Sequence, residues 1–258
     1  MSGMTYHISF SGGLGSAVSA LVAHDAGLDF TLLFADTLIE DDDLYRFIED
    51  VSDRVNVPVT YLRDGRTPWD VFRDVRYHGN SRTAHCSQVL KTDQVRAWLD
   101  GNAKPDEPLV LGMDMSEQDR IDRAAARWAP RPVISLLNDH DVWRPQYEEW
   151  LARYNLQRPR LYDLGFEHNN CGGFCVRAGI AHHKRLLRVF PDRYEWHEKQ
   201  QLQLYVDVPT EDGRSHLRET IDGVTRYFTM RELRERVEMQ PDLFDDEPGP
   251  TGCGCFID

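Results

Sequence analysis

Apolar runs and amphipathic, helix-patterned stretches alternate along the first half of the chain. Four short apolar runs have the length of buried strands and lie at residues 6–10, 30–35, 57–62 and 108–111. The stretches between them carry apolar residues at helical spacing, and the clearest such face consists of Leu44, Phe47, Ile48, Val51 and Val55. Alternation of strand and helix is typical of a parallel sheet with helices on both faces. The pattern therefore predicts an α/β fold with a doubly wound, mostly parallel sheet.

The second half of the chain has a different pattern, with more helix and fewer buried runs. Helices are predicted at 143–154 and from Val176 towards Val189, with a turn of cysteine and glycine at 171–175 before the second helix. A segment of this composition indicates a turn rather than a packed helix, because glycine is a poor helix former. We expect the cysteine turn to belong to the same domain as the sheet.

Beyond Pro191 the chain becomes more polar. A hairpin is predicted through Asp222-Gly223, a dipeptide suited to a tight two-residue turn, and a short amphipathic helix follows at 230–237. We therefore predict two parts, a main α/β domain at residues 1–190 and a small helical C-terminal extension at residues 191–258.

Length and hydrophobic content add limits to this picture. A chain of 258 residues is long enough to bury a full core, and its hydrophobic fraction of 41% is ordinary for a globular protein. No run approaches the roughly 18 apolar residues that a membrane span requires. Residues 1–10 lead directly into a predicted strand, unlike an export signal. These features predict a soluble, cytoplasmic protein with no membrane partner.

The charge of the chain limits its partners. A formal net charge of −13 argues against a broad basic surface for nucleic acid, since phosphate neutralisation supplies much of that affinity. A nucleic-acid substrate would need a local basic patch or a partner protein.

A glycine-rich loop joins the first predicted strand to the first predicted helix, and its residues are Ser11, Gly12, Gly13, Leu14, Gly15 and Ser16. Unpaired amides and the helix dipole favour an anion at such a helix N-terminus, and doubly wound sheets hold ligands at this edge. The loop lacks the lysine of a Walker loop and departs from the dinucleotide-binding glycine pattern. It predicts a phosphate site, with a tight glycine turn and helix cap as the alternative.

The order Ser-Gly-Gly-x-x-Ser after the first strand resembles the PP-loop enzymes, which include phosphoadenosine-phosphosulfate (PAPS) reductases, ATP sulfurylase small subunits and ATP-dependent thiolases. Two later segments are similar to PAPS reductase motifs. Ala35-Asp36-Thr37 resembles the Asp-Thr motif after strand 2, and the segment from Cys86 to Lys91 resembles the Cys-x-x-x-Leu-Lys motif. The chain is thereby identified as a member of the PAPS reductase superfamily.

The resemblance continues after the fourth strand. Gly112, Glu117 and Arg120 match the family element Gly-x-Arg-x-x-Glu-x-x-Arg, except that Asp114 stands where the first arginine is usual. Three later segments are also similar to reductase elements, namely Asp141-Val142-Trp143, Leu161-Tyr162 and Gly165-Phe166 before Cys171. The matching segments together cover roughly residues 6–179.

The resemblance implies an adenine nucleotide, ATP or PAPS with Mg²⁺, as the ligand of the loop. It implies that the loop residues and Gly112 bind the nucleotide and that Asp36 assists the nucleotide or Mg²⁺. Lys91 or Arg120 would balance the charge that develops during the reaction, which is the catalytic role expected for them. Asp114 cannot make the contact that the family's arginine usually makes at this position.

The five cysteines do not form the pattern of a disulfide framework. Cys171 and Cys175 lie on a glycine-rich turn before a predicted helix, where the dipole favours thiolate ligation. Cys253 and Cys255 form a Cys-x-Cys near the end of the chain. Together these four would suit zinc or a [4Fe–4S] cluster if the tail folds back. Alternatively, Cys86 joins Cys171 and Cys175 as a ligand.

Other interpretations of the cysteines stay open. Cys171 and Cys175 could be free buried cysteines, and a cluster is preferred over zinc on resemblance only. PAPS reductases without a cluster place a nucleophilic cysteine near the C-terminus, so Cys253 or Cys255 could attack sulfur or carry a persulfide. The remaining alternative is that the tail is dispensable.

Three functions follow from these features. The first is sulfur transfer, in which ATP adenylates an acceptor such as DNA or tRNA and a sulfur donor, for example a cysteine desulfurase, supplies the sulfur. The second is reduction of PAPS or adenylyl sulfate to sulfite with a thioredoxin-like partner. The third is a non-catalytic, nucleotide-sensing subunit. Sulfur transfer is preferred, because Asp114 is unsuited to binding an anionic sulfate.

Two charged runs have structural and functional interpretations. The acidic run at 40–43 could bind Mg²⁺ with the nucleotide, but we expect it to charge the start of the following helix. The run at 182–185, His-His-Lys-Arg, could touch phosphate or metal, but a solvated helical face is expected.

Overall fold

The computed structural model describes residues 3–209 and 215–239. The strands are β1 Thr5–Ser9, β2 Asp29–Asp36, β3 Val59–Arg63, β4 Leu109–Val110, β5 Val133–Ile134, β6 Leu217–Ile221 and β7 Val224–Phe228. The α-helices are α1 Leu14–Asp25, α2 Asp42–Val55, α3 Pro68–Asp74, α4 His85–Ser87, α5 Asp93–Asn102, α6 Gln118–Trp128, α7 Leu136–Asp139, α8 Tyr147–Arg153, α9 Arg160–Asp163, α10 Ile180–Val189, α11 Pro191–Asp207 and α12 Met230–Met239. A π-helical segment and three 3₁₀ turns complete the regular structure, at Gln88–Thr92, Met115–Glu117, Arg144–Gln146 and Cys171–Gly173.

The main sheet has five parallel strands in the order β3-β2-β1-β4-β5. Ile8 at the centre of β1 pairs with Leu32 on one side and Val110 on the other. The predicted α/β class with a parallel sheet is confirmed. The sequence pattern missed β5, a two-residue strand at the edge of the sheet.

The sheet separates two hydrophobic cores, and β2 shows how the pleat assigns residues to them. Leu32 and Phe34 face one core, whereas Leu33 and Ala35 face the other, since successive side chains of a strand point to opposite faces. The first core contains α1, α2, α7 and α8, and the second contains α5 and α6. Eight consecutive residues of α1, from Ser16 to Ala23, are buried, so this helix is enclosed on all sides.

A third core lies under the C-terminal half of the chain. It joins Trp69 and Phe72 of α3 to residues of α10, α11, α12 and the hairpin, including Phe174, Leu186 and Tyr194. The predicted hairpin is confirmed, and both turn residues, Asp222 and Gly223, have positive φ of 51° and 78°, as a type I′ turn requires. The division at 190/191 stays a prediction.

Helix α11 was not predicted, although it is the longest helix in the described part of the chain. Its buried face consists of Tyr194, His197, Glu198, Gln201 and Leu204. Because most of these residues are polar, apolar periodicity gives no signal there. No helix in residues 3–209 and 215–239 is both long and apolar enough to cross a membrane.

Four histidines lie in this third core. His78, His183, His197 and His216 are at most 7 % exposed. The rings of His183 and His216 are 4.7 Å apart, and those of His78 and His216 are 4.9 Å apart. Burial lowers the pKa of His78 and of His183 to about 3 and lowers the pKa of His197 and His216 well below 6.5, because burial opposes the charged form. All four rings are neutral in the folded protein at neutral pH.

The buried rings predict a loss of stability in mild acid. In the unfolded chain these histidines titrate near 6.5. Their contribution to the free energy of unfolding should therefore be constant above that pH and should fall below it, down to the folded-state pKa of each ring. Each ring that stays neutral contributes a loss of about 1.4 kcal/mol per pH unit. Urea unfolding at pH 7.5, 6.0 and 5.0 measures the loss. His78→Gln should reduce the pH slope, and His140→Gln, which removes an exposed histidine, should not. Equal slopes for wild type and His78→Gln would contradict the explanation.

Candidate functional site

The glycine-rich loop lies at the carboxyl end of β1 and leads directly into α1. Gly12 has a φ of +71°, and a Cβ there would lie 2.3 Å from Leu44 Cδ1, so only glycine fits this position. Gly13 caps α1 with extended backbone. Ser11 Oγ accepts a hydrogen bond from Gly13 N at 3.4 Å, and Ser16 Oγ donates to Gly13 O at 2.9 Å. These hydrogen bonds within the loop hold it at the positive end of a buried helix dipole.

Gly15 and Gly112 allow the loop to pack directly against the end of β4. A Cβ on Gly15 would lie 2.3 Å from the carbonyl oxygen of Gly112, and a Cβ on Gly112 would lie 2.3 Å from Ser16 N. Two backbones therefore touch here with no room for a side chain. This contact explains why glycine is needed at Gly112, a residue that the sequence placed in the nucleotide site.

The loop opens onto a cavity of about 810 Å³, which is in the range of small-molecule and cofactor sites. The predicted nucleotide-binding and catalytic residues that line it are Ser11, Gly13, Leu14, Gly15, Ser16, Lys91, Gly112 and Arg120. Tyr162 closes one side, where its hydroxyl lies 3.4 Å from Leu14 N and accepts its hydrogen bond. The structure thus brings together most of the residues predicted for nucleotide binding and catalysis.

Cationic side chains line this cavity from several elements. Lys91 comes from the π-helical segment, Arg120 and Arg123 come from α6, and Arg144 comes from the 3₁₀ turn before α8. Arg120 pairs with Glu117, which also lines the cavity. Asp119 and Glu167 line the cavity as well, so four cations and three carboxylates lie around one space. The four cations are the groups that suit a phosphate or sulfate ligand.

Asp114 has a structural role at the edge of the cavity. Its carboxylate accepts hydrogen bonds from Ser116 N at 3.0 Å, Arg144 N at 2.8 Å and Tyr147 Oη at 3.2 Å. Burial opposes ionisation of this carboxyl, but these hydrogen bonds prevail and lower its pKa. Asp114 thus fixes the backbone of Arg144, whose side chain lines the cavity.

Some predicted residues lie outside the cavity lining. Gly12 is covered by Leu44, and Asp36 is buried at the end of β2. The Asp36 carboxylate accepts hydrogen bonds from Arg63 Nε at 2.9 Å, Tyr45 Oη at 2.8 Å and Leu38 N at 2.9 Å. These contacts make Asp36 a support of the loop after β2.

The acidic run at 40–43 is engaged by basic side chains. Asp41 caps α2, is 1 % exposed and pairs with Arg160 and Arg193. Asp43 pairs with Arg46. Burial opposes ionisation of Asp41, and its arginine partners outweigh burial and lower its pKa. The structure therefore favours the helix-start interpretation of this run over Mg²⁺ binding.

The cysteine turn packs against the loop between β2 and α2. Cys171, Gly172 and Gly173 all have positive φ, of 50°, 60° and 84°, which is unfavourable for a non-glycine residue such as cysteine. A Cβ on Gly172 would lie 2.6 Å from the carbonyl oxygen of Ile39. The backbone N–H of Cys171 donates to Glu40 Oε2, and Asn170 beside it lines the cavity. Contacts on both sides hold the turn in its strained conformation.

The metal prediction is not decided by the described residues. Within residues 3–209 and 215–239, no three histidine, cysteine, aspartate or glutamate side chains are arranged to hold a metal ion. Cys86, Cys171 and Cys175 are partly exposed, and within the described residues they are not joined by disulfides. Cys253 and Cys255 lie outside the described residues, so a cluster or zinc site that includes them stays a prediction.

Sequence reasoning missed several residues of the site. Arg123 follows Arg120 by one helical turn on α6, and this spacing was a signal that could have identified it. Arg144 and His168 carried no motif. His168 lines the cavity, and burial, followed by the charges of His182 and Arg144, lowers its pKa to about 4. Asn169 fixes the loop through a 3.2 Å hydrogen bond from Nδ2 to Gly12 O.

The expectation of a solvated face at 182–185 is wrong for both histidines. His183 is fully buried, and His182 Nε2 lies 2.8 Å from Gly173 O. Both rings pack beside aromatic residues, His182 against Phe166 and His183 against Phe174. His183 is thus enclosed in the third core, and His182 is only partly exposed and contacts Gly173 of the cysteine turn.

Two known proteins are similar to parts of this chain. An uncharacterized protein of Methanocaldococcus jannaschii is 24% identical over 201 residues, which are 73% of this chain and 39% of that protein. The chain therefore spans about two fifths of the length of this relative. The crystal structure of PAPS reductase from Candida auris, a phosphate complex, aligns with a TM-score of 0.44 and 15% identity over 64% of this chain and 79% of that chain.

A family model gives the decisive match. The model of the phosphoadenosine phosphosulfate reductase domain matches residues 5–171, more than half of the chain. The matched segment begins at β1, includes all five strands of the main sheet and the glycine-rich loop, and ends at Cys171. The chain belongs to the phosphoadenosine phosphosulfate reductase domain family.

Proposed function

We propose that this protein is a PP-loop ATP pyrophosphatase that acts in sulfur transfer. An oxygen of the acceptor attacks the α-phosphorus of ATP, the bond to the β-phosphate breaks, and pyrophosphate leaves. A sulfur nucleophile then displaces AMP from the activated acceptor. The observation that supports this proposal is a single cavity which joins the phosphate loop to Lys91 and reaches the cysteine turn at Asn170.

The chain's own residues would divide this work. Amides at the start of α1, with the Ser11 and Ser16 hydroxyls, would hold the leaving pyrophosphate at the helix N-terminus. Lys91 and Arg120 would neutralise charge on the phosphates during bond breaking. Mg²⁺ would arrive with the nucleotide, bound chiefly by its phosphates. The rate gain would come from positioning and charge stabilisation.

The acceptor and the sulfur donor belong to the proposal only as chemical classes. A net charge of −13 disfavours tight binding of DNA or tRNA by this chain alone, so a nucleic-acid acceptor requires a partner protein or a local patch. A cysteine desulfurase would supply sulfur as a persulfide, and a dithiol reductant would cleave its S–S bond and release hydrosulfide, the nucleophile that displaces AMP.

Reduction of PAPS or adenylyl sulfate is the second candidate, and two observations favour it. The family model that matches the chain is that of the PAPS reductase domain. Arg120, Arg123 and Arg144 all line the cavity, so the cationic surface does not depend on an arginine at position 114. In this reaction a thiolate attacks the sulfate sulfur, the nucleotide leaves, and a thioredoxin-like dithiol reduces the S-sulfonate and releases sulfite.

Substrate tests separate the two candidates. With ATP, Mg²⁺, acceptor and donor present, sulfur transfer predicts pyrophosphate release, which Ser11→Ala should reduce at least about tenfold because hydrogen bonds to charged groups contribute roughly 1.5–3 kcal/mol. Ser81→Ala, at an exposed position, is the matched control. Sulfite formed from PAPS with thioredoxin, without pyrophosphate release from ATP, would show that the reductase proposal is correct and the first one wrong.

Metal analysis tests the cofactor independently of activity. We propose a [4Fe–4S] cluster, with zinc as the alternative, on Cys171, Cys175 and cysteines drawn from Cys86, Cys253 and Cys255. Anaerobic purification followed by iron, sulfide and zinc determination should give bound metal in wild type. Cys171→Ser should lose it with either ligand set, Cys253→Ser should lose it with the set that includes the tail cysteines and keep it with the set that uses Cys86, and Ser81→Ala should retain it. Metal-free wild-type protein with full activity would refute the ligand assignment.

A further inference from the structure

Glu40 is a buried carboxylate between the cavity and the cysteine turn. Its side chain is 2 % exposed, and it follows β2 on the loop that leads to α2. Thr37 Oγ1 lies 2.9 Å from Glu40 Oε1 and donates to it. Burial raises the pKa of the Glu40 carboxyl, and Lys91, the Thr37 hydroxyl and the Cys171 N–H act against burial by stabilising the charged form.

One partner of Glu40 belongs to the cavity. Lys91 Nζ lies 3.7 Å from Glu40 Oε1, and the Lys91 side chain is 6 % exposed. Lys91 also lines the cavity. Because an ammonium group has three donors, Lys91 can contact Glu40 and a phosphate in the cavity at the same time.

The other partner of Glu40 belongs to the cysteine turn. The carboxylate oxygen Oε2 accepts the backbone N–H of Cys171, and Thr37 Oγ1 also lies 4.0 Å from Cys171 Sγ. The turn is strained at Cys171, where φ is +50°. A hydrogen bond to a charged acceptor is stronger than a neutral one, so the Glu40 carboxylate holds this backbone in place.

We propose that Glu40 is a positioning residue that couples the nucleotide cavity to the cysteine turn, through Lys91 on one side and the Cys171 N–H on the other. The inference rests on the proposed nucleotide site. A phosphate that binds Lys91 fixes its ammonium group, and Glu40 transmits this ordering to the backbone of Cys171. Nucleotide occupancy is thereby sensed at the turn that carries the thiol.

Hydrogen–deuterium exchange measures the Cys171 N–H directly. The probe is α,β-methylene-ATP with Mg²⁺, which cannot be cleaved between the α- and β-phosphates, and its binding is measured in parallel by equilibrium dialysis. In wild type, saturating analogue should slow exchange of the peptide that contains Cys171 at least fivefold. The exposed neighbour Asp42 provides a matched control, and Asp42→Asn should behave like wild type.

Two variants separate coupling from simple support of the turn. Glu40→Gln keeps an oxygen that can accept the Cys171 N–H but loses the charge that pairs with Lys91. This variant should still bind the analogue. Without analogue, its Cys171 peptide should exchange near the wild-type rate, and adding analogue should slow that exchange less than twofold. Glu40→Ala removes both links, so resting exchange at Cys171 should rise at least tenfold.

Two results would overturn the inference, namely a full nucleotide effect in Glu40→Gln or wild-type resting exchange in Glu40→Ala. If Glu40→Ala does not fold, the Glu40→Gln comparison alone decides. Failure of wild type to bind the analogue would instead reject the proposed nucleotide site. The resting exchange of Glu40→Ala would then still decide whether Glu40 holds the cysteine turn.

Discussion

The backbone contact between the first turn of α1 and the end of β4 is the constraint on which the site depends. Gly15 and Gly112 meet with no space for a Cβ on either residue. Because β1 and β4 are neighbours in the sheet, this contact places the glycine-rich loop at the carboxyl edge where parallel strands leave room for a ligand. The N-terminus of the buried helix α1 lines one side of the cavity, and the residues that follow β4 also line it.

Charge is distributed unevenly in this acidic protein. Carboxylates near the site are largely paired with cations or hydrogen-bond donors: Asp36 with Arg63, Asp41 with Arg160 and Arg193, and Asp114 with backbone and hydroxyl donors. Four cations line the cavity itself. Three carboxylates, Glu117, Asp119 and Glu167, line it as well, so the cavity does not share the strong excess of acidic residues that gives the chain its charge of −13.

The loop between β2 and α2 contacts both the cavity residue Lys91 and the cysteine turn. Asp36 anchors its start, Glu40 contacts Lys91 and the Cys171 N–H, and Asp41 begins α2. The cysteine turn is thus held by the sheet as well as by the third core beneath it, where His182 and Phe166 support Gly173. The turn that carries Cys171 therefore lies directly beside Asn170, which lines the same cavity as the glycine-rich loop.

The sequence by itself determined the parallel α/β fold, the position of the glycine-rich loop between β1 and α1, the hairpin turn and membership in the superfamily, because each of these follows from local periodicity or from residues close in sequence. Only the tertiary structure revealed the interaction of Glu40 with Lys91 and Cys171, the part of Arg144 in the cavity, and the burial of His182 and His183. These features depend on contacts between residues far apart in the chain. The sequence does not show whether a histidine is buried or exposed. The polar face of α11 shows the same limit, since burial there is decided by packing against α3 and α12 and leaves no apolar pattern in the sequence.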